Sequence, residues 1–318
     1  MRKLIAIVAG EPNSINSEII AKAWRKVRNK KNLFIIGNYE LFKNQLKKIK
    51  LNIKTYKITS VKEVVNTRGI NILDIPLKFK SVFEIKKHNS KKYVLESLNV
   101  AHKLAINKKI IGFINAPVDK RVFSECLGVT EYLAKKNKIK NQEVMMIYNE
   151  SLSVVPLTTH LEIKNVTSQI KSDLIEKKIF TLNKFYLKLF KKKPKIGILG
   201  LNPHNSENRI SSVENRIVKP TIKKLRNLNI NITGPFPADT AFNKKKRNDY
   251  DVIVGMYHDQ VLAPFKAIYG YNAINITLGL NYLRSSPDHG TAQDIIGLNK
   301  ANPQSMIAAI NFFNATNN

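Results

Sequence analysis

The sequence has 318 residues, 43% of them hydrophobic, which is enough for two modest domains or one large α/β unit with a buried core and excludes a disordered chain. Its 54 Lys and Arg residues outnumber 23 Asp and Glu residues, and the formal net charge is +31. The basic residues are mostly Lys spread along the whole chain, without a zinc-finger, RNP or helix-turn-helix motif. We therefore expect a bias toward anionic substrates and no dedicated nucleic-acid partner.

The predicted elements alternate between short apolar runs and longer amphipathic segments, which is the pattern of an α/β fold. Several runs are continuous Ile and Val, as in strands buried on both faces of a largely parallel sheet. In chain order we predict strand Leu4–Ala9, helix Ser17–Asn29 with Asn16 or Ser17 as its cap, strand Leu33–Ile36, helices Glu40–Lys48 and Ser90–Ile106, strands Ile110–Ile114, Val144–Ile147 and Ser153–Pro156, helix Val166–Lys192, strand Ile196–Leu199, helix Val213–Leu228, strands Val252–Val254 and Ile274–Thr277, and helix Pro303–Phe313.

The cysteine content and the lengths of the apolar runs indicate the cellular compartment. Cys126 is the single cysteine, which excludes an intrachain disulfide and suits a reducing compartment. The apolar run Leu4–Ala9 is too short for a signal peptide and stops at Gly10, so we interpret it as a buried strand. No apolar stretch approaches the length that spans a bilayer. We expect a cytoplasmic protein without a membrane partner.

The strands at the two ends of the chain are expected to share one sheet. The first α/β domain is then discontinuous, at residues 1–114 plus 202–318, and residues 115–201 form a second lobe.

Three histidines stand in similar positions, each at or near the carboxyl end of a predicted strand: His160, His204 and His258. Ligand sites of open α/β sheets collect at that edge, so three neutral imidazoles converging there would bind a metal and leave positions open for substrate. A single histidine after a strand is more often a hydrogen-bonded surface or core residue, and the long spacings do not decide between the two interpretations.

Two carboxylates stand close to these segments. Asp259 directly follows His258, and Asp239 lies in Gly234–Thr240. A ligating histidine usually donates its other ring N–H to such a carboxylate, although Asp239 fits a turn or helix cap equally well.

The C-terminal third offers groups for a phosphate monoester and for a nucleotide. Lys266, Asn275 and Arg284 combine a point charge, an amide and a guanidinium that can grip phosphate with two hydrogen bonds. The chain contains neither Gly-x-Gly-x-x-Gly nor a Walker A motif. Instead, the loop Asp288–Gly297 is rich in small residues, so its backbone N–H groups could approach a pyrophosphate.

These segments resemble one known family. The sequence is similar to 4-hydroxythreonine-4-phosphate dehydrogenases over nearly its whole length and in the same order, at Gly10–Pro12, Ala116–Lys120, Thr159–His160, Gly200–His204, Gly234–Thr240, Tyr257–Lys266 and Asn275–Asp294. The His289–Ala292 segment, with Ala301–Pro303 after it, also resembles the NAD loop of isocitrate and isopropylmalate dehydrogenases.

The resemblance implies a two-lobed α/β/α sandwich and a homodimer, with active sites in the cleft and at the dimer interface. It also implies roles for particular residues. The metal ligands would be His160, His204 and His258; the substrate contacts would be Thr130, Lys266, Asn275 and Arg284; and the cofactor contacts would be His289, Gly290, Thr291, Ala292 and Asn302.

The implied reaction belongs to pyridoxine 5'-phosphate biosynthesis. It is oxidation of 4-phosphooxy-L-threonine by NAD or NADP, followed by decarboxylation to 3-amino-2-oxopropyl phosphate. The implied metal is a divalent ion such as zinc, magnesium or cobalt. The general base stays open between Asp239, Asp259, Lys120 and a water on the metal.

Several positions depart from the family pattern. Ser14 and Asn16 stand where the family usually has glycines, Asn205-Ser206 replaces Ala-Gly, and Val129 replaces a substrate-contacting histidine. A paralogue that oxidises a related phosphorylated hydroxy acid, such as 4-phospho-threonate or 4-phospho-erythronate, is therefore the nearest alternative. A phosphate acyltransferase and a binding protein without catalysis are the alternatives from other classes.

Overall fold

The protein has a mixed α/β fold, as expected, in a computed structural model that describes residues 3–30, 32–65, 68–124, 128–139 and 142–316. Cys126 lies outside the described residues. The chain divides into two compact units: unit 1 is Met1–Leu133 with Asn281–Asn318, and unit 2 is Ala134–Leu280. Within the described residues, no helix is both long enough and apolar enough to cross a membrane.

The strands are β1 Ile5–Val8, β2 Leu33–Gly37, β3 Thr55–Ile58, β4 Ile70–Asp74, β5 Gly112–Asn115, β6 Val144–Tyr148, β7 Ser153–Thr158, β8 Ile196–Leu199, β9 Ile232–Phe236, β10 Val252–Tyr257, β11 Ile274–Leu278 and β12 Leu283–Pro287. The helices are α1 Asn16–Lys26, α2 Tyr39–Lys48, α3 Lys87–Ile106, α4 Val129–Lys136, α5 Ile163–Gln169, α6 Ser172–Phe190, α7 Lys219–Asn227, α8 Ala238–Ala241, α9 Lys244–Arg247, α10 His258–Tyr269 and α11 Gln304–Ala315.

Unit 1 contains a parallel sheet with the strand order β3-β4-β2-β1-β5-β12. β1 and β5 are buried along their whole length, which confirms the prediction from their apolar runs. Val8 pairs with Asn115, and Ser285 pairs with Ile114. The loops that follow β1, β5 and β12 therefore leave the same edge of the sheet.

Unit 2 contains a sheet with the strand order β11-β6-β7-β10-β8-β9, in which β6 runs antiparallel to both of its neighbours and the other pairs are parallel. Thr158 pairs with Tyr257, and Val254 pairs with Ile198. The carboxyl ends of β7, β10 and β8 therefore share one edge, and each is followed by a segment that carries a histidine.

The unit boundaries differ from those expected from the sequence. Residues 115–133 belong with unit 1, and residues 202–280 belong with unit 2. The reason is strand pairing: β8 and β10 join the sheet beside β7, and β11 joins it beside β6. An apolar run indicates that a strand is buried, but it does not indicate which strands pair with it in the sheet.

Several element predictions also need correction. Ile170 and Lys171 adopt extended backbone and divide the helix predicted over Val166–Lys192 into α5 and α6. Asn16 does not cap α1. It is the first helical residue, and its amide donates to the carbonyl oxygens of Ala9 and Pro117 at 2.9 and 2.8 Å. Patterning misses β3, β4, β9, β12 and α10, because their mixed polar residues lack a clear period.

Candidate functional site

Two of the predicted metal ligands meet at the carboxyl edge of the unit 2 sheet. His160 lies just beyond β7, and His258 is the first residue of α10, directly after β10. Their ring centroids are 5.9 Å apart, and both rings line a cavity of about 180 Å³ together with Thr158, Tyr257 and Asp259. The parallel pairing of β7 with β10 brings these imidazoles together.

Asp259 lies within hydrogen-bond distance of His258, and a carboxylate is a common partner of metal-ligating histidines. Its Oδ1 lies 2.6 Å from His258 Nδ1. A proton on Nδ1 then fixes the ring and leaves Nε2 as the atom available to a ligand. Asp239, the second carboxylate considered from the sequence, is an exposed residue in the first turn of α8, and the described contacts include no hydrogen bond from it to a histidine.

His204, the third predicted ligand, is exposed in the turn Pro203–Asn208 after β8 and is not part of the lining of the cavity that holds His160 and His258. The described part of one chain contains no group of three or more His, Cys, Asp or Glu residues arranged to hold a metal ion. The donor chemistry of the pair suits a metal, but one chain assembles only two of the three predicted imidazoles.

Side-chain hydrogen bonds tie the three histidine segments together. Thr158 Oγ1 donates to the Met256 carbonyl at 2.7 Å, which connects the end of β7 to β10. Gln260 accepts from Met256 N and donates to the Gly200 carbonyl, both at 2.7 Å, which connects α10 to the end of β8. Gln260 stands two residues after His258, but its contacts are with backbone atoms and no sequence motif marks them.

Arg284 is the centre of a buried polar group in unit 1. Its side chain is only 2% exposed, its Nε donates to Asn115 Oδ1 at 2.6 Å, and its Nη1 donates to Thr130 Oγ1 at 3.3 Å. Burial lowers the pKa of the guanidinium to about 10. The structure therefore brings together two predicted substrate contacts, Thr130 and Arg284, and adds Asn115, which sequence reasoning missed.

The remaining predicted substrate and proton-transfer residues lie elsewhere. Asn275 is on β11, and its Oδ1 is buried without a hydrogen-bond partner among the described residues. An orphaned acceptor of this kind calls for a donor on a ligand. Lys266 is exposed near the end of α10. Lys120 is exposed after β5 and does not line the cavity formed by its neighbours Asp119 and Arg121.

That cavity adjoins the predicted cofactor loop, because Gln293, the residue after Ala292, is part of its lining. It encloses about 330 Å³ and is lined by acidic, basic and amide side chains that include Glu11, Asn13, Lys87, Lys91, Asp119, Arg121 and Gln293. Glu11 is 6% exposed, and burial raises the pKa of its carboxyl, although Ser90 Oγ donates to it at 2.6 Å.

The predicted cofactor loop has open space beside its backbone. A Cβ built on Gly290 would meet no atom within 4 Å, so packing does not require a glycine there, and a bound group could approach the main chain. Thr291 O accepts a hydrogen bond from Ile15 N at 3.3 Å, which ties the loop to the segment after β1. His289 Nδ1 lies 3.0 Å from Gly290 O, Ala292 has a left-handed backbone, and Asn302 Oδ1 accepts from Gln304 N at the start of α11.

Comparisons with known proteins identify the family of the chain. The family model described as "Pyridoxal phosphate biosynthetic protein PdxA" matches residues 29–313. The 4-hydroxythreonine-4-phosphate dehydrogenase of Sulfurihydrogenibium sp. (strain YO3AOP1) is 39% identical over 96% of this chain and 96% of that protein. The protein of that name from Aquifex aeolicus (strain VF5) is 36% identical over 98% of this chain and 97% of its own. The crystal structure of 4-hydroxythreonine-4-phosphate dehydrogenase from Klebsiella pneumoniae matches with a TM-score of 0.87 at 28% identity, covering 100% of both chains.

The matches define the class of the protein as an α/β enzyme of a dehydrogenase family. The chain belongs to the PdxA family of pyridoxal phosphate biosynthetic proteins, which confirms the resemblance drawn from its motifs.

Proposed function

We propose that this chain oxidises 4-phosphooxy-L-threonine with NAD or NADP, and that the resulting β-keto acid loses carbon dioxide to give 3-amino-2-oxopropyl phosphate. The observation that carries the proposal is the pair of imidazoles, His160 and His258, with Asp259 behind the second ring, at the carboxyl edge of the sheet. Such an arrangement is suited to a divalent metal beside a substrate hydroxyl.

We place the third imidazole, His204, with this pair in a homodimer whose subunits share each active site. Three imidazoles leave coordination positions open and suit zinc or cobalt, with magnesium a weaker candidate because it prefers oxygen ligands. A bound divalent metal supplies Lewis acidity toward the substrate oxygen atoms. In this arrangement Asp259 orients His258, and the cross-link through Gln260 fixes the start of α10, which carries His258, against the end of β8 of the same chain.

The substrate residues supply charge and orientation. Arg284 presents a buried guanidinium positioned by Asn115 and Thr130, and a substrate phosphate that reaches it would gain strong charge-assisted hydrogen bonds. Thr130 holds that guanidinium in place, and Lys266 is proposed to add a second positive charge. Asn275 Oδ1 is an acceptor for a substrate donor, such as the ammonium group.

The nicotinamide cofactor is proposed to lie along His289–Ala292, with Asn302 at the end of its site. The open space at Gly290 supports this placement, and so does the adjacent 330 Å³ cavity, to which Gln293 contributes. The cofactor supplies the hydride acceptor, and the protein orients it. Asp239, Asp259 and Lys120 remain the candidates for taking the hydroxyl proton, and the pH–rate profiles of their single variants separate them.

The test is spectrophotometric formation of NADH or NADPH from 4-phosphooxy-L-threonine. Chelation should abolish the activity, and adding back zinc, cobalt or magnesium ions should restore it to different extents. Cofactor reduction that is insensitive to chelation overturns the metal assignment. Absence of reduction with every metal overturns the dehydrogenase proposal and favours the acyltransferase or binding-protein alternatives.

A second candidate, a paralogue acting on a substrate without the amino group, is favoured by Val129. This residue is the first of α4, next to Thr130, which bonds Arg284. Valine can neither donate nor accept a hydrogen bond. We expect Val129→His to improve catalytic efficiency on 4-phosphooxy-L-threonine about tenfold or more, and not on 4-phospho-threonate. Faster turnover of 4-phospho-threonate than of the amino acid by the unmodified protein would establish the paralogue.

A further inference from the structure

The turn that carries His204 has an unusual backbone. Five consecutive residues have left-handed φ angles: 49° at His204, 55° at Asn205, 52° at Ser206, 50° at Glu207 and 60° at Asn208. None of them is glycine. L-residues disfavour this region, because Cβ approaches the following carbonyl oxygen, and such a run persists only where surrounding contacts impose it.

The strongest of these contacts come from a carboxylate that the proposed reaction does not use. Glu214 is fully buried. Its Oε1 accepts from Leu201 N at 2.9 Å and from Asn202 N at 2.8 Å, just before the turn. Its Oε2 accepts from Ser206 Oγ at 3.2 Å, inside the turn. The carboxylate of Glu214 therefore holds both the residues just before the left-handed segment and the middle of that segment.

Further contacts seat the same segment against the sheet. Asn205 is buried, and its Nδ2 donates to the Pro235 carbonyl at 3.0 Å. An added Cβ on Gly200 would collide with Asn205 Oδ1, so the turn closes directly over that glycine. His204, by contrast, is exposed. Its position is thus set by the backbone of the turn and not by packing of its own ring.

We propose that Glu214 is a positioning residue, whose carboxylate holds the left-handed turn and thereby fixes His204 where a metal can use it. The effect of Glu214 on metal binding rests on the proposed function, whereas its role in holding the turn does not. Outer residues that orient a metal ligand typically change metal affinity by about 10- to 100-fold when they are removed.

The first measurement is hydrogen exchange of the metal-free full-length protein, followed over residues 200–208. Glu214→Ala should speed exchange in this segment, and Glu214→Gln should stay close to the unmodified protein, because its amide can still accept from the two backbone N–H groups and donate to Ser206. Asp251→Ala is the matched control. Asp251 also accepts a backbone N–H, from Lys195 at 2.8 Å, but at the amino end of β10.

The second measurement is a titration with cobalt ions, followed by their visible absorption. Glu214→Ala should weaken cobalt affinity about 10- to 100-fold and alter the spectrum, while Glu214→Gln and Asp251→Ala should stay within about threefold of the unmodified protein. The rescue by Gln distinguishes positioning from a general loss of folding. If Glu214→Ala does not fold, Ser206→Ala, which removes one partner of the carboxylate, should show the same changes on a smaller scale.

The outcomes separate the two proposals. Exchange over residues 200–208 that is unchanged in Glu214→Ala, or in Ser206→Ala where that variant is used, overturns the role of Glu214. Faster exchange with unchanged cobalt affinity overturns its link to His204. An unmodified protein that binds no cobalt overturns the proposed metal function, while the exchange experiment still decides whether Glu214 holds the turn.

Discussion

At the scale of single residues, Arg284 is proposed to bind the substrate phosphate, in addition to its structural hydrogen bonds to Asn115 and Thr130. We predict that Arg284→Ala raises the KM for the phosphorylated substrate by about one to two orders of magnitude, because each charge-assisted hydrogen bond contributes about 1.5–3 kcal/mol. A dephosphorylated analogue should be affected little. Initial-rate kinetics on both substrates measure the difference.

Thr130→Val is the control for this experiment, since it removes a hydroxyl that holds Arg284 but keeps the charge. Equal losses on both substrates in Arg284→Ala would mean that the residue acts only through Asn115 and the surrounding core.

Glu11 provides a prediction about pH and stability at the same scale. Burial raises the pKa of Glu11 above its ordinary value of 4.5, so the folded state holds the proton more tightly than the unfolded state. The associated stability is complete below pH 4.5 and is lost as the pH rises through the folded pKa. Glu11→Gln should therefore raise the Tm at neutral pH, and this gain should vanish near pH 4.

Glu214→Gln is the opposite-sign control. Burial alone would raise the pKa of Glu214, but the donors of Asn202 and Leu201 outweigh it and leave the pKa below 4.5. The variant still holds the turn through its amide, but it should lose the small part of the stability at neutral pH that depends on the charge, and this loss should shrink as the pH falls below that value. Melting curves of both variants across this pH range check the two signs, and parallel curves would contradict them.

At the scale of elements, the beginning of α10 is held by Gln260 against two strand ends. Gln260→Leu removes its bonds to Met256 N and the Gly200 carbonyl. Each buried group left without a partner costs about 1–3 kcal/mol, so we predict a loss of unfolding free energy of at least that size, measured by urea denaturation.

A second consequence separates this cross-link from general stability. Because it fixes the start of α10, which carries His258, kcat should fall in Gln260→Leu even under conditions where the variant is fully folded. Gln169→Leu, an exposed position at the end of α5, is the matched control and should change neither quantity. Unchanged kcat in a destabilised Gln260→Leu would limit the cross-link to a structural role.

At the scale of the whole molecule, the described residues of one chain bring together only two of the three predicted imidazoles. We predict that the active species is a homodimer with shared sites. His204→Ala and His258→Ala should each be inactive alone, but heterodimers formed by mixing them should recover part of the activity, because one of the two sites regains a complete set of ligands.

Sedimentation during turnover checks the dimer independently. An active monomer would refute the shared site, and so would mixed subunits that exchange fully without recovering activity. The complementation also distinguishes a missing ligand from a misfolded subunit, since a misfolded subunit cannot rescue its partner.

By itself the sequence determined the α/β class and the buried strands, because continuous Ile and Val runs such as β1 and β8 can be satisfied only inside a sheet. It also determined the family, since motifs such as Tyr257–Lys266 are long and ordered along the chain. Local sequence patterns failed to predict strands that mix polar and apolar residues. β12, which contains Arg284 and two serines, is buried although its sequence does not alternate between polar and apolar residues.

Only the tertiary structure decided which residues act together. Strand order brings His160 beside His258, and it brings Arg284 near Asn115, a residue 169 positions away in the chain. Glu214 and Gln260 form hydrogen bonds to backbone atoms. Such bonds depend on the geometry of the fold and not on the type of residue that supplies the backbone atom. The spacing of residues along the sequence does not reveal such pairs, because each contact forms only after the strands have paired in the sheet.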